Sequence, residues 1–537
     1  MKASDLFVKC LEAEWVEYIF WIPGEENLDM LNSLRDSSIK LILTRHEQSA
    51  VFMAATYGRF TWKPWVALAT LGPGATNMVT GVGYAQLNGY PVIVITGQKP
   101  IKKSKQGDFQ VIDVVAMMRP ITKESIQIQN AARITTKLRH AFGLAQSERP
   151  GVVHIELPED IAAENIEGYC PIEPVLPRRP VAEEKAIKQL IDRIQSSKTP
   201  VIMVWAGANR KRITKYLTEF IKKYNIPFFT SQMGKGVVDE RLPQYLGTAA
   251  LSDTDGVHRA VAHADLILAV GHDVIEKPTH FVSEGATQNI HINFYEAKVD
   301  DVYTPSLEVI GDIGNLFWQL AEEFEIDGSG WDFEKVYSVA KDEWKRSQDS
   351  QAKENGADVM MPRRFVQELR EITWEHDILA LDNGWYKIWI ARNYAAYHPN
   401  RVMLDNTFAT MGAGLPTGMM AKYLNPDSNV IVVTWDGGFV MNLGDLETAV
   451  RLGIDLIILV INNNAYGMIK VKQAHAGFPD FGLDLPNPDF IKLAESFWAA
   501  GIRIDHPDEF IPKMQEALRN KGVTVVELPF EYPLEVD

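Results

Sequence analysis

Two cysteines, Cys10 and Cys170, are all that the 537 residues contain. They lie far apart and in no metal-ligand spacing, which argues against a disulfide framework or a cysteine-bound zinc and for a reducing compartment. Positive charge is also short. Lys plus Arg number 54 against 70 Asp plus Glu, a formal net charge of −16, and that sign repels phosphate backbones and anionic lipid surfaces. Neither nucleic acid nor a membrane is an expected partner. Long apolar runs are missing as well: a stretch such as Leu456 to Ile461 is far below the ~20 residues that cross a bilayer and suits a buried strand. At the start, Met1-Lys2-Ala3-Ser4-Asp5 puts charges where a secretory signal needs its apolar stretch, so a cytoplasmic location is expected.

What is present reads as a folded chain. Hydrophobic residues make up 46% and charged residues 23%, as in ordinary globular proteins, and roughly 150 residues per domain suggests about three or four domains. Short β-branched runs alternate with longer amphipathic stretches, the pattern of parallel sheets covered by helices on both faces, so the class is α/β. Strands are expected at Val66 to Thr70, Val92 to Thr96, Val201 to Val204, Leu266 to Val270, Val430 to Thr434 and Leu456 to Ile461. The stretch Pro171 to Pro180 cannot continue a helix or a central strand and reads as a linker. A second break is expected at Gly328-Ser329-Gly330, followed by the polar run Arg346 to Gln351 before periodicity resumes near Pro362. Three doubly wound parallel-sheet domains result, at 1–170, 181–327 and 358–537.

Two polar clusters in the last domain follow strands: Asp436-Gly437-Gly438, and Asn462-Asn463-Asn464-Ala465-Tyr466-Gly467. The 27 residues from Asp436 to Asn463 suit one crossover helix. Adjacent strand ends then bring the Asp436 carboxylate, the Asn463 amide oxygen and a nearby backbone carbonyl into range of a hard cation, with Mg²⁺ and a diphosphate completing the shell. Either cluster alone is an ordinary turn; at this spacing the pair favours a metal. In the first domain, Glu47 opens a helical segment from Ser49 to Arg59, where a helix-capping role is the plain alternative. The zinc-protease pattern begun by His46-Glu47 fails because position 50 is Ala50. Leu71-Gly72-Pro73-Gly74-Ala75-Thr76-Asn77 does not match the dinucleotide fingerprint, since Asn77 stands at its third glycine, which demotes a nicotinamide cofactor.

From Glu12 to Leu528 the sequence resembles the thiamine-diphosphate enzymes of the acetolactate synthase family. The marks are Ile22-Pro23-Gly24-Glu25-Glu26-Asn27, Arg45-His46-Glu47-Gln48, Gly72 to Asn77, Thr96-Gly97-Gln98, Phe109-Gln110, Thr410-Met411-Gly412-Ala413-Gly414-Leu415-Pro416, and the pair Asp436 and Asn463. The resemblance implies pyrimidine-binding, central and diphosphate-binding domains in that order. It implies that Glu47 hydrogen-bonds the cofactor's pyrimidine and promotes the imino form whose nitrogen takes the thiazolium C2 proton. Met411 holds the cofactor bent, and the backbone carbonyl of Ala409 accepts from its aminopyrimidine. Pro23, Gly24, Asn77, Gly437, Gly438, Tyr466, Gly467 and Met468 line the cofactor, while Asp436, Asn463 and the Ala465 backbone hold Mg²⁺. Phe109 and Gln110 face the substrate, and Lys123 lies near that pocket, with packing and a solvated charge as the plain alternatives. A homodimer or homotetramer acting on small 2-keto acids is implied.

Branch features point to a catabolic, pyruvate-using type for which FAD is not expected. The segment Gly271 to Pro278 lacks the arginine that contacts FAD in biosynthetic members, and Lys472 takes the approximate place of their tryptophan for 2-ketobutyrate. A simple 2-keto acid decarboxylase is the alternative activity, but decarboxylases use paired histidines near the position of Phe109-Gln110. One departure keeps a non-catalytic paralogue open. Trp15, Trp21, Trp62, Trp65, Trp205, Trp435 and Trp498 stand where the resembled pattern has glycine. A UGA codon read as tryptophan but decoded as glycine in the source is the other explanation.

Overall fold

The computed structural model describes residues 1–102, 107–175, 179–250, 256–273, 275–276, 287–299, 303–354 and 359–531. The middle of the Pro-rich linker, position 358 at the third domain boundary, and positions 274 and 277–278 of the segment compared with FAD-contacting members lie outside the described residues.

Runs of β-branched residues become strands wherever glycine, proline or asparagine closes them. The first third of the chain supplies β1 (Tyr18–Trp21), β2 (Lys40–Leu43), β3 (Trp65–Ala69), β4 (Val92–Gln98), β5 (Glu124–Gln127) and β6 (Val152–Pro158). The middle supplies β7 (Pro200–Val204), β8 (Phe228–Ser231), β9 (Tyr245–Ala249), β10 (Leu266–Val270), β11 (Gln288–Asn293) and β12 (Leu307–Ile310). The last supplies β13 (Ile378–Leu381), β14 (Val402–Met403), β15 (Val430–Trp435), β16 (Leu456–Asn462), β17 (Ala500–Arg503) and β18 (Val523–Pro529). They form three six-stranded sheets, ordered β2-β1-β3-β4-β6-β5, β12-β11-β10-β7-β8-β9 and β14-β13-β15-β16-β18-β17. Neighbouring strands run parallel, as between Ile93 and Val66 or Val433 and Leu459. Strands such as β3, β4 and β15 are buried along their whole length, which is why they read as continuous apolar runs and not as alternations.

The first and third sheets share one strand order. Counted from the first strand of each, both read 2-1-3-4-6-5, so the similar strand-then-glycine pattern of these segments reflects a shared topology. Packing nevertheless divides the chain into two units. One comprises Met1–Arg178 with Phe408–Pro426 and Phe439–Ile454; the other comprises Arg179–Thr407, Asp427–Gly438 and Asp455–Asp537.

In the first unit, helix Glu47–Thr61 is buried around most of its circumference because the sheet covers one side and helix Gly414–Leu424 another. Arg45 N donates to Asp445 Oδ1 at 2.7 Å, tying the start of that helix to the 439–454 piece.

Two sequence expectations change. The polar run Arg346 to Gln351 lies inside helix Glu334–Glu354, since Arg, Gln, Lys and Ala are good helix formers and no glycine intervenes before Gly356. The connection from β15 to β16 holds two helices, Asp436–Met441 and Asp445–Arg451, in place of one. None of the described helices is long and apolar enough to cross a membrane.

Candidate active site

In the strand order 2-1-3-4-6-5 the chain leaves the first strand toward opposite edges, so a crevice opens at the carboxyl ends of the first and third strands. In the first unit these ends are Ile22-Pro23-Gly24 and Thr70-Leu71-Gly72. They approach so closely that a Cβ on Gly24 would lie 2.3 Å from Thr70 Oγ1. Thr70 Oγ1 donates to Glu26 Oε2 at 2.7 Å, and Lys99 Nζ donates to Glu26 Oε1 at 2.5 Å. The Glu26 and Lys99 side chains are both almost fully buried. Burial pushes the Glu26 carboxyl up, but the hydrogen bonds from Lys99 and Thr70 outweigh it and hold the group below its ordinary range. The sequence reading gave Glu26 and Lys99 no role.

A buried charge left without its partner is costly. Lys99→Met is therefore expected to destabilise the protein by roughly 3–5 kcal/mol, and adding Glu26→Leu is expected to recover much of that loss. Denaturant titration of the two variants checks this. Because the Glu26 pKa is lowered on folding, the pair stabilises above the ordinary carboxylate range, and its contribution is lost as pH falls below it.

Glu47 stands at the start of its helix, but His46 performs the capping: Gln48 N donates to His46 Nδ1 at 3.1 Å. The Glu47 carboxylate is thus spared for other work. It is 7% exposed, and its Oε2 accepts from Asn77 Nδ2 at 2.9 Å. A Cβ on Gly74 would lie 3.4 Å from Glu47 Oε1 and 2.9 Å from Thr70 Cγ2, so glycine leaves Oε1 uncovered. Gln110 has φ 59° and sets its carbonyl against Gly72, 2.8 Å from where a Cβ would stand. The structure therefore brings Glu47, Asn77, Gly24 and Gln110 to one crevice. Phe109, beside Gln110, is 67% exposed.

Lys123 is engaged elsewhere. Its ammonium donates to Ser147 O, Ser147 Oγ and Arg149 O at 2.7–2.9 Å, and burial pushes its pKa down to about 8. These contacts anchor the loop before β6 and correct the plain alternative of a solvated charge.

The turn containing Ala409 and Met411 also belongs to the first unit. Ala409 has φ 53° and Gly412 φ 84°, and Asn442 Nδ2 donates to Gly412 O at 2.6 Å. A left-handed alanine is strained, and such strain concentrates where a backbone group must be aimed.

In the second unit the corresponding crevice lies at the ends of β13 and β15, with β16 next to it. Asp382 follows β13, Asp436 follows β15, and Asn463 follows β16. Asp436 is 1% exposed. Its Oδ1 accepts from Gly437 N at 2.8 Å, and its Oδ2 accepts from Asn487 Nδ2 at 2.8 Å. Asn487 Nδ2 also reaches Asn462 Oδ1 at 3.0 Å. Burial is the largest influence on Asp436 and pushes its carboxyl up, against the opposing N–H groups of Gly437, Asn487, Asn464 and Asn463.

Nearby, Asn463 Oδ1 is buried with no hydrogen-bond partner among the described residues. A buried carboxylate beside an orphaned amide oxygen is a donor set that fits a hard cation. Ala465 is buried, Tyr466 leads into helix Gly467–His475 as its N-terminal cap, and Met468 lies in its first turn. A Cβ on Gly438 would lie 3.0 Å from Asp382 Oδ2. Sequence reasoning missed Asn487 and Asp382; the turn Pro486-Asn487-Pro488 was the only signal for the former.

Trp435 precedes Asp436, but its ring turns into the sheet core with Ile431 and Val433. There it meets Tyr386, Trp389 and Phe530 at centroid separations of 5.6, 6.5 and 6.1 Å.

Comparison with known proteins agrees with this bipartite layout. Three family profiles match the chain: the N-terminal TPP binding domain of thiamine pyrophosphate enzymes over residues 1–117, their central domain over 187–320, and their C-terminal TPP binding domain over 382–528. An acetolactate synthase of Bacillus subtilis (strain 168) is 30% identical over 99% of this chain and 93% of its own. A probable acetolactate synthase large subunit of Methanocaldococcus jannaschii is 32% identical over 96% and 90%. A catabolic acetolactate synthase of Raoultella terrigena is 29% identical over 98% and 95%.

Proposed function

Because the chain belongs to the thiamine pyrophosphate enzymes of the acetolactate synthase family, we propose that it condenses two molecules of pyruvate to 2-acetolactate with release of carbon dioxide. The observation that carries this reading is the pairing of chemistries at equivalent switch points: a buried carboxylate oriented by Asn77 in one unit, and a cation-ready Asp436–Asn463 set in the other. Thiamine diphosphate, when bound, supplies the electron sink that decarboxylation of a 2-keto acid requires.

The chain's own residues do the rest. Asn77 occupies Glu47 Oε2 and fixes the carboxylate plane, which leaves Oε1 as the atom that holds or accepts a proton at the pyrimidine ring. The low exposure of Glu47 keeps competing water away from that exchange. The left-handed Ala409 backbone would present its carbonyl to the aminopyrimidine of a bound cofactor, and Met411 would prop it. Asp436, Asn463 and the Ala465 carbonyl would hold Mg²⁺ with the diphosphate, and Gly437, Gly438, Tyr466, Gly467 and Met468 would surround it. Phe109 and Gln110 line the side where keto acids enter, Phe109 as an apolar wall and Gln110 as a hydrogen-bonding amide. The working form is a homodimer or homotetramer, and FAD takes no part.

With pyruvate as sole substrate, 2-acetolactate and carbon dioxide are the expected products, and added FAD leaves the rate unchanged. Acetaldehyde as the main product overturns the proposal in favour of simple decarboxylation.

A further inference from the structure

Eight non-glycine residues among those described have positive φ, and three of them are tryptophan: Trp15 at 59°, Trp62 at 58° and Trp498 at 60°. Each sits where a helix ends. Trp15 follows Ala3–Ala13, Trp62 caps Glu47–Thr61, and Trp498 follows Phe490–Ser496. Around Trp15 and Trp498 the chain closes with the long return bonds Val16 N to Leu11 O (3.1 Å) and Ala499 N to Ala494 O (3.0 Å).

The same bond recurs elsewhere in the chain. Tyr90 N reaches Ala85 O past Gly89, Ile454 N reaches Ala449 O past Gly453, and Phe478 N reaches Gln473 O past Gly477. Asn225 fills the equivalent place before Ile226. This terminator needs a left-handed residue, so glycine is the usual choice, asparagine the next, and a bulky side chain is strained there. Trp15 and Trp498 are 55% and 80% exposed, so burial of the indole gives little to offset that strain.

A second, independent trait marks the buried members of the set. The indole N–H groups of Trp21, Trp65 and Trp205 are buried and have no acceptor among the described residues, although a buried tryptophan normally finds one. Trp331 does, donating to Ile194 O at 3.1 Å. Trp65 also crowds Tyr57, with ring centroids 3.5 Å apart, inside the 4.5–7 Å that aromatic pairs prefer. The ring edge of Trp435 fills the space that Gly384 leaves by lacking a Cβ, as that of Trp331 does beside Gly328. The other six tryptophans, Trp318, Trp331, Trp344, Trp374, Trp385 and Trp389, all lack a positive φ.

Backbone geometry thus picks out Trp15, Trp62 and Trp498, and unpartnered buried indole N–H groups pick out Trp21, Trp65 and Trp205; all six belong to the seven that departed from the sequence pattern, and Trp435 joins them through that pattern. We propose that positions 15, 21, 62, 65, 205, 435 and 498 are glycine in the protein as its source makes it, through a UGA codon decoded there as glycine. GGA and UGA differ by one base, so a single cause covers all seven positions. The inference stands apart from the catalytic reading, because its evidence is conformational.

Three measurements test it. The gene is expected to carry UGA at the seven positions and UGG at the other six, and tryptic peptides of the protein purified from its source are expected to show glycine at 15, 62 and 498. UGG codons at the seven positions, or peptides bearing tryptophan there, overturn it. For the full chain made in an ordinary host, the triple variant Trp15→Gly, Trp62→Gly, Trp498→Gly is expected to melt higher by roughly 2 °C or more, the scale of relieving three such strains together in a chain of this length. A triple variant that melts lower removes the conformational argument.

Discussion

Glu47→Gln is expected to lower turnover by roughly 10²-fold or more, the usual size of a lost acid–base role, while cofactor affinity stays close to that of the unchanged protein. The substitution keeps the side-chain volume and keeps a carbonyl oxygen able to accept from Asn77 Nδ2, now at 2.9 Å from Oε2. It removes only the capacity to exchange a proton. His46 caps the helix through Gln48 N, so the fold loses no cap and melting temperature should hardly move. Steady-state kinetics at saturating thiamine diphosphate and Mg²⁺, with calorimetric titration of the cofactor alongside, separate the two effects. Near-normal turnover demotes Glu47 to a structural acid.

Asp436→Ala is expected to abolish Mg²⁺-dependent binding of thiamine diphosphate, a loss beyond the roughly 10–100-fold that follows removal of a group one shell further from a metal. Asp436 is buried and accepts from Gly437 N and Asn487 Nδ2. Asn463 Oδ1 has no hydrogen-bond partner among the described residues, so without the carboxylate only neutral oxygens, this amide and the Ala465 carbonyl, remain to hold the cation. Asn487→Ala isolates the orienting contribution and should weaken binding by that smaller factor. Calorimetric titration with and without Mg²⁺ reads both; an Asp436→Ala protein that binds normally places the cation elsewhere.

How much of this was legible depended on the range of the interaction. Runs such as Val92 to Thr96 and Leu456 to Ile461 became β4 and β16 because strands buried on both faces need no alternation. Asp436 and Asn463 were legible because strand ends followed by glycine or asparagine mark crevices in parallel sheets, whereas Glu47 and Asn77 were legible only through the family resemblance. Their geometry was not. That His46 and not Glu47 caps the helix depends on a ring nitrogen, and no spacing rule encodes it. Asn487 lies 51 residues from Asp436 and reaches it through a proline-bounded turn. Glu26 and Lys99 pair across 73 residues, a distance at which sequence carries no periodic signal. The two-unit packing was hidden for the same reason, since it rests on contacts such as Arg45 N to Asp445.

That packing sets a schedule for synthesis. The first unit begins at Met1 yet is not complete until Ile454 has been added. On a ribosome adding roughly 5–20 residues per second, the 276 residues from 179 through 454 take on the order of 15–50 s. For most of that interval, until Leu424 has been added, helix Glu47–Thr61, buried on most sides in the finished protein, waits for Gly414–Leu424 to cover it. The nascent chain therefore exposes the apolar flank of the very helix that carries Glu47. Chaperone capture or mispairing between neighbouring nascent chains is expected there, on the helix to which the proposed function assigns the acid–base carboxylate.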